Sequence, residues 1–502
     1  MKKVLSLIVA LTLLLSAMAA ASCGETTGPA ETTPAPAADS NPVSGQTTEA
    51  PDDGMVKNNV PDDLKFPGQT VRFMYWSDVE RPEFFVENES GEPVNDAIYT
   101  RNIHVEEQLG ITLDWIGTPG NYGNQAAFVT TAQNNINAGG TDTYDFFCGY
   151  SMTAPTLAVK GLTKALGEYP IIDLELPWWP ESLVSKATIN GKTFFVSGDI
   201  STNVLYMMYG VFFNKSIYEN VHKGKENIYE IVKDKQWTID KLVELSEGVY
   251  EDLNNNNVAD YGDRFGFQSI DLHFDAFYIG AGLTNIVIDE AGNLVISPDF
   301  EGETAIDLAE KVCNFLFKSG NAYGSGTTSK DSSAAAFSRG EALFAMDRVY
   351  IASGTLKNSD VEYGLIPVPM YNTDQENYVS CMAFPFTFYS MSTATTQGEA
   401  AAATLEDMAY ESYMLISPAL FDQSMKSRYS SEANDAQMYD LIHDTICFEL
   451  GRIFTTELDN LSYSVWRSCI KSNQGSHWKT LASMNAKKIN KLLEGPNAVF
   501  NP

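Results

Sequence analysis

With 502 residues the chain is too long for one hydrophobic core, so two or more compact lobes are expected. A 44% hydrophobic and 12% aromatic content is that of a globular protein. The formal net charge of −32 repels phosphate backbones and anionic lipid, which argues against nucleic acid and direct membrane adsorption.

The chain opens on a basic Met1-Lys2-Lys3 and an apolar run over residues 4–20, the pattern of a secretory signal rather than a membrane span. The run ends in Ala20-Ala21-Ser22-Cys23, which resembles the cleavage box of bacterial lipoproteins, with Ala20 where Leu is commonest. The resemblance implies a signal peptide over residues 1–22 and a lipidated Cys23. A plain secretory signal that happens to contain a cysteine is the alternative. Cleavage removes two lysines and leaves 31 basic against 65 acidic residues, a net charge of −34. Residues 24–60 are rich in Thr, Pro, Ala, Glu and Asp and hold no aromatic residue, so they bury too little surface to fold. Residues 23–60 are therefore expected to form a disordered tether, semi-extended at ~3 Å per residue at most.

The body alternates short apolar runs with helical patterns. A strand over 70–75 runs into Trp76-Ser77-Asp78, and a helix over 97–109 is stopped by Gly110, a C-cap signal. Strands follow over 111–116 and 144–148, the latter leading into Gly149-Tyr150-Ser151. A helix is expected over 157–166. Pro177-Trp178-Trp179-Pro180 is either a platform for the C–H face of a sugar or a plug over the core edge. Gly191-Lys192-Thr193 looks like the end of a phosphate loop, but Lys186 stands where its first glycine is required, so a turn between strands is expected. Residues 194–214 read as strand, polar break and strand, the break falling at 197–203. A strand over 266–270 precedes Asp271, His273 and Phe274, and 306–317 is helical with Cys313 on its apolar face. Residues 337–369 then give helix, strand, helix, strand. The apolar run 343–346 is followed by Asp347, Arg348 and Tyr350, and 363–366 is stopped by Pro367 and Pro369. Residues 426–502 are mostly helical, with Trp466 placed to close a cleft floor.

In order, these motifs resemble bacterial extracellular solute-binding proteins of family 1, the maltose-binding-protein-like class. The carriers are Gly161-Leu162 with Leu166, the strand pair ending in Asn214-Lys215, Trp237-Thr238 with Asp240 and Leu242, and Gln375 with Tyr378. The resemblance implies an α/β, two-lobed type II periplasmic-binding-protein-like fold with a hinge and an interlobe cleft. Lobe 1 would be 66–199 plus 370–425, and lobe 2 would be 203–366 plus 426–502. It implies a lipid-anchored binding component of an ABC importer, a monomer on the outer face of the cytoplasmic membrane. This protein would capture a small solute, a carbohydrate or oligosaccharide, for permease subunits, and would not be an enzyme. The cleft residues it implies are Trp76, Asp78, Tyr150, Ser151, Asp199, Asp271, His273, Asp347, Arg348 and Tyr350. Trp76 is read equally as packing on the first helix; for Tyr350 the alternative is a core position.

The stretch from Asp252 to Asp263 places oxygen donors at positions 1, 3, 5, 9 and 12 of an EF-hand-like loop: Asp252, Asn254, Asn256, Asp260 and Asp263. Val258 offers its carbonyl at position 7. A structural Ca²⁺ is expected, against a metal-free turn in which side chains bond their own backbone. Asn257 stands where glycine is usual, and Asp263 is shorter than the usual Glu. The remaining cysteines, Cys148, Cys313, Cys381, Cys447 and Cys469, are odd in number and irregularly spaced, which is neither a disulfide framework nor a zinc site. The competing functions are a secreted glycoside hydrolase with paired carboxylates and a passive glycan-binding surface lipoprotein. Among hydrolase and nucleotide signatures, neither a serine elbow nor a phosphate loop is present.

Overall fold

The computed structural model describes residues 56–140, 143–324, 332–421 and 433–501. The expected signal peptide, Cys23 and the tether as far as residue 55 lie outside these residues. Residues 56–60, also expected in the tether, instead join the body: Val60 is buried and Asn58 donates to Asp407 at 2.8 Å. The strands of the two larger sheets are β1 (Thr70–Trp76), β2 (Thr112–Thr118), β3 (Phe146–Tyr150), β4 (Tyr209–Asn214), β5 (Phe265–Gln268), β6 (Ala322–Tyr323), β7 (Ala342–Arg348), β8 (Tyr363–Ile366) and β9 (Thr387–Met391). The first sheet has the order β9-β3-β1-β2 and the second β6-β5-β7-β4-β8. Each centres a lobe, so the fold is α/β and two-lobed.

In the first sheet β1, β2 and β3 are parallel and β9 runs antiparallel to β3. β3 is buried along its whole length, as a parallel strand covered on both faces is, whereas β2 at the sheet edge is mostly part-exposed. Phe73 pairs with Trp115 and Phe146 across the sheet, with ring centroids 4.4 and 4.9 Å away. Phe73 and Phe146 lie in this lobe's core cluster with the part-buried Trp115 packed against them, and full burial of a Phe stabilises by roughly 1.5–3 kcal/mol. In the second sheet β4 is antiparallel to both β7 and β8, while β7 is parallel to β5. β4 is buried along its whole length. β7 runs two residues beyond the apolar run that announces it, because Gly210 and Tyr209 offer ladder partners to Asp347 and Arg348.

The helices that matter below are α1 (Pro93–Leu109), α2 (Gln125–Ala138), α3 (Ala154–Val159), α4 (Thr202–Tyr206), α5 (Gly398–Glu411), α6 (Ser417–Phe421), α7 (Ala433–Asp444), α8 (Leu461–Lys471) and α9 (Trp478–Phe500). The helix expected over 157–166 is shorter: α3 ends at Val159, and Gly161 takes φ +69°, a left-handed conformation that glycine adopts without steric cost. Residues 188–193 form a hairpin, Thr188–Ile189 against Lys192–Thr193, so Gly191-Lys192-Thr193 is the turn expected. α5 and α6 pack on α1 of the first lobe, and α7 packs on β8 of the second.

The chain leaves the first lobe and returns to it along two segments that run side by side. Val196 bridges Tyr389 and Met208 bridges Met382, both antiparallel. Glu83, 1% exposed, clasps this crossing. Its carboxylate accepts hydrogen bonds from Ser201 Oγ at 2.9 Å, Asn203 N at 3.1 Å, Asn203 Nδ2 at 2.7 Å and Tyr389 OH at 3.0 Å. Gly198 has φ +150° within the crossing, and a Cβ there would lie 2.2 Å from the Trp178 carbonyl oxygen. Among the described residues no helix is long and apolar enough to cross a membrane. Cys148, Cys313, Cys381, Cys447 and Cys469 are all free thiols, and Cys313 is buried on its helix as expected.

Candidate functional site

The parallel strands β1, β2 and β3 end at one edge of the first sheet, and ligands of open α/β sheets meet the chain beyond such ends. Asp78 organises that edge. Its Oδ1 accepts from the backbone N–H of Gly120 at 2.8 Å and Asn121 at 2.9 Å, and its Oδ2 from Asn124 Nδ2 at 3.0 Å. Trp76 is 1% exposed; it donates to Thr387 Oγ1 at 2.7 Å and meets Tyr150 edge-on at 5.2 Å. Ser151 donates to the Phe384 carbonyl at 2.6 Å. These four expected cleft residues thus brace and pack the edge. Trp76 is buried and packs on β3 and β9, where the alternative reading had it on the first helix.

Beside them lies a cavity of about 490 Å³, within the range of small-molecule sites. One wall is a face of α2, carrying Gln125, Val129, Thr130 and Gln133, with Tyr122 at the rim. A second wall is Met152, Thr153 and Thr156, at the start of α3. Thr456 and Asn460, from the stretch before α8, close it. Thr456 Oγ1 donates to the Met152 carbonyl at 3.0 Å, and Thr156 Oγ1 to Glu457 at 2.5 Å, so the closing stretch is fastened to both walls. Burial pushes the Glu457 carboxyl up.

Two polar atoms of this lining are buried and unpartnered: Thr153 Oγ1, on a residue 1% exposed, and Asn460 Oδ1. Tyr122, 59% exposed, presents its ring at the rim and hydrogen-bonds Tyr463. Lys160 is the one charged side chain of the lining. The cavity is therefore a place for neutral, hydroxyl-bearing matter. The sequence analysis missed α2 and its Gln125 and Gln133, two turns apart, and nothing local announces which segment closes over them.

The second lobe brings His273, Asp347, Arg348 and Tyr350 together. Asp347 is 2% exposed and accepts from the Arg348 N–H at 2.8 Å and from Ser333 Oγ at 3.3 Å. His273 Nε2 lies 3.5 Å from Asp347, and its Nδ1 lies 2.9 Å from the Met346 carbonyl. Burial lowers the His273 pKa and outweighs the pull of Asp347 the other way, so the ring is neutral near pH 7. The Tyr350 face expected to be free for a ligand is occupied: the Arg81 guanidinium sits 4.4 Å above the ring and Arg348 lies 5.4 Å from its centroid. Asp271 stands apart, paired with Lys471 at 2.5 Å.

Sequence reasoning missed Asp275, which is buried against two guanidiniums. Arg467 donates to it at 2.9 and 2.5 Å, and Arg452 also pairs with it while lying 3.9 Å over Phe384. Three distant stretches build this set, and only tertiary contact reveals it. Asp199 lies on the opposite, hinge side, where it accepts from Ser417 Oγ at 2.9 Å. Trp178 and Trp179 are a plug: Trp178 is fully buried against Tyr410, and Trp179 donates to Glu406 at 3.1 Å. Trp466 is likewise core, 3% exposed, and donates to the Phe274 carbonyl at 2.9 Å.

The 252–263 loop is folded on its own hydrogen bonds. Asp252 accepts from Asn257 N at 2.9 Å, Asn254 from Asn256 N at 3.0 Å, Asn256 from Val258 N at 2.7 Å, and Asp263 from Leu253 N and Asp260 N, both at 3.2 Å. Asn255 and Asn257 both take φ +59°, so Asn257 supplies the left-handed turn for which glycine is usual. Asp252 Oδ1 is buried and unpartnered, which suits a cation. Against it, Asp260 is occupied by the amides of Asn254 and Asn256. Among the described residues no three His, Cys, Asp or Glu side chains converge on a metal-sized site.

No family profile matches the sequence, and no curated protein matches it. The fold does have solved counterparts. A cyclic α-maltosyl-1,6-maltose binding protein from Arthrobacter globiformis matches with a TM-score of 0.57 at 14% identity, over 86% of this chain and 100% of that one. An ABC substrate-binding protein from Listeria monocytogenes, in complex with cycloalternan, matches with 0.53 at 12%, over 85% and 99%. A sugar transporter from Rhizobium etli in an open conformation matches with 0.57 at 11%, over 85% and 99%. Likeness at such identity establishes the fold, which is that of the type II periplasmic-binding proteins. The solved chains it is similar to are named as binding or transport proteins.

Proposed function

We propose that the chain is the solute-binding component of an ABC importer and holds a carbohydrate or oligosaccharide between its lobes. The observation that carries this is the 490 Å³ cavity at the strand ends, with unpartnered Thr153 and Asn460 and the exposed ring of Tyr122. Buried polar atoms without partners cost roughly 1–3 kcal/mol each, a cost that ligand hydroxyls would offset. A ring such as Tyr122 stacks on the C–H face of a pyranose. The two similar proteins whose names give a saccharide, a cycloalternan and a cyclic maltosyl-maltose, support the same ligand class. The reading includes a diacylglyceryl-type anchor at Cys23 on the outer face of the cytoplasmic membrane, permease subunits as partners, a monomeric body and a Ca²⁺ in the 252–263 loop.

A thermal-shift screen over mono- and oligosaccharides tests the ligand class, followed by calorimetry on any hit. A ligand at 100 times its Kd stabilises by about 2.7 kcal/mol, which is readily seen. The saccharide must be recovered intact after incubation. No shift with any saccharide at millimolar concentration would overturn the reading, and cleavage would return it to a hydrolase.

A further inference from the structure

A second pocket, of about 330 Å³, opens on the hinge side of the molecule. It lies between α6, which packs on the first lobe, and α7, which packs on the second, with Asp199 of the crossing segment on its wall. Three rings line it: Tyr413, Tyr439 and Phe421, the last two edge-on at 4.9 Å. Asp199 is 3% exposed, and its carboxylate accepts from Ser417 Oγ at 2.9 Å and lies 3.4 Å from His443 Nε2. A carboxylate has about four lone-pair sites, so both oxygens retain capacity. Tyr439 is 4% exposed, and its hydroxyl lies buried without a partner. Asp440 stands exposed at the rim.

We propose that this pocket is a second ligand site, taking a small organic ammonium ion between the Asp199 carboxylate, the Tyr439 hydroxyl oxygen and the aromatic rings. An ammonium N–H is a donor, and the two oxygens are the acceptors the pocket leaves open. Aromatic faces attract cations through the ring quadrupole. The charges agree: behind the larger effect of burial, Asp199 and Asp440 both act to push the Tyr439 phenol up, so carboxylates face its hydroxyl. An overall charge of −32 also favours a cation over an anion. The pocket shares no lining residue with the lobe-edge cavity, so this inference does not depend on the saccharide reading.

His443 makes the site sensitive to pH. Burial lowers its pKa, but the hydrogen bond and charge of Asp199, with Asp444 at 3.5 Å on the other ring nitrogen, outweigh that and raise it to about 8. The other titratable groups facing it are Asp440 and Tyr439 on its own helix, Tyr413 opposite, and Tyr206 beyond Tyr439. Below pH 8 the imidazolium competes for Asp199; above it the neutral ring releases the carboxylate. With a pKa of about 8, the competent fraction rises about tenfold from pH 7 to pH 9, and apparent affinity rises with it.

The test is calorimetric titration of the intact protein with butylammonium chloride, using sodium chloride for ionic strength and butan-1-ol as the uncharged counterpart. Expected are saturable one-to-one binding of butylammonium alone and an affinity about tenfold higher at pH 9 than at pH 7. His443→Gln should remove that dependence and give the pH 9 affinity at pH 7. Tyr439→Phe should weaken binding several-fold with an unchanged or raised Tm, because it deletes an unpartnered hydroxyl. Equal binding of butan-1-ol, a pH-independent affinity in the wild type, or full affinity in Tyr439→Phe would each overturn the proposal.

Discussion

Tyr122 and Tyr350 show how two tyrosines of similar promise part company once their neighbours are known. Tyr350 follows a strand end and looked free to stack, but Arg81, far away in sequence, has taken its face. Tyr122 sits in an unremarked loop and is 59% exposed at the rim of the cavity. Truncating an exposed side chain away from packing changes stability by no more than about 0.5 kcal/mol. Tyr122→Ala should therefore melt as the wild type does while binding saccharide more weakly. The aromatic contribution beyond area burial is roughly 0.5–1.5 kcal/mol, or about 2- to 12-fold in Kd. Calorimetry beside a melting curve separates the two quantities, and an unchanged Kd would take Tyr122 out of the site.

Elements were legible where their signal is local. The strands β1, β3 and β8 are short apolar runs bounded by turn residues, so pattern alone placed them within two residues. β7 was read too short because its last two pairings are made by β4, over a hundred residues earlier. α5 carries a further effect that pattern did not show, since it buries Glu406 and Asp407. Burial raises the Glu406 carboxyl to about 7, opposed by the Trp179 hydrogen bond, and raises Asp407 to about 6. A carboxyl whose folded pKa is raised adds stability below its unfolded pKa, near 4.3 for Glu, and that stability is lost as pH rises through the folded value. Stability should fall between about pH 4.5 and 7, and Glu406→Gln should flatten the fall and gain about 1–3 kcal/mol at pH 8. Denaturant melts at pH 5 and pH 8 check the sign. The 252–263 loop gives the companion prediction. Extracellular Ca²⁺ sites bind at ~10⁻⁴–10⁻³ M, so millimolar Ca²⁺ should raise the Tm of the wild type but not of Asp252→Ala. Identical wild-type melts in Ca²⁺ and in chelator would remove the metal.

At the scale of the whole molecule the two-lobed plan was readable because the crossing motifs stand in order along the chain, whereas the cavity was not. Its walls come from α2, α3 and the stretch at 456–460, so the site exists only after the C-terminal segment has folded back on the first lobe. The same separation of scales governs the anchor proposed at Cys23. The earliest core residue of the described body is Val60, 6% exposed, and Asn58 is fixed by its hydrogen bond to Asp407 at 2.8 Å. The anchor proposed at Cys23 is followed by residues 24–55, a stretch without an aromatic side chain to bury. Acyl chains contribute ~0.8 kcal/mol per buried CH₂, and more than one chain is needed for stable anchoring. A chain of net charge −32 has no electrostatic reason to stay at an anionic bilayer without them. Cys23→Ala should therefore move the protein from the membrane to the soluble fraction while its Tm and saccharide affinity stay those of the wild type. Fractionation in the absence of detergent, with melting and titration of the released protein, reads all three. Retention of the variant at the membrane would show that something other than Cys23 holds it there.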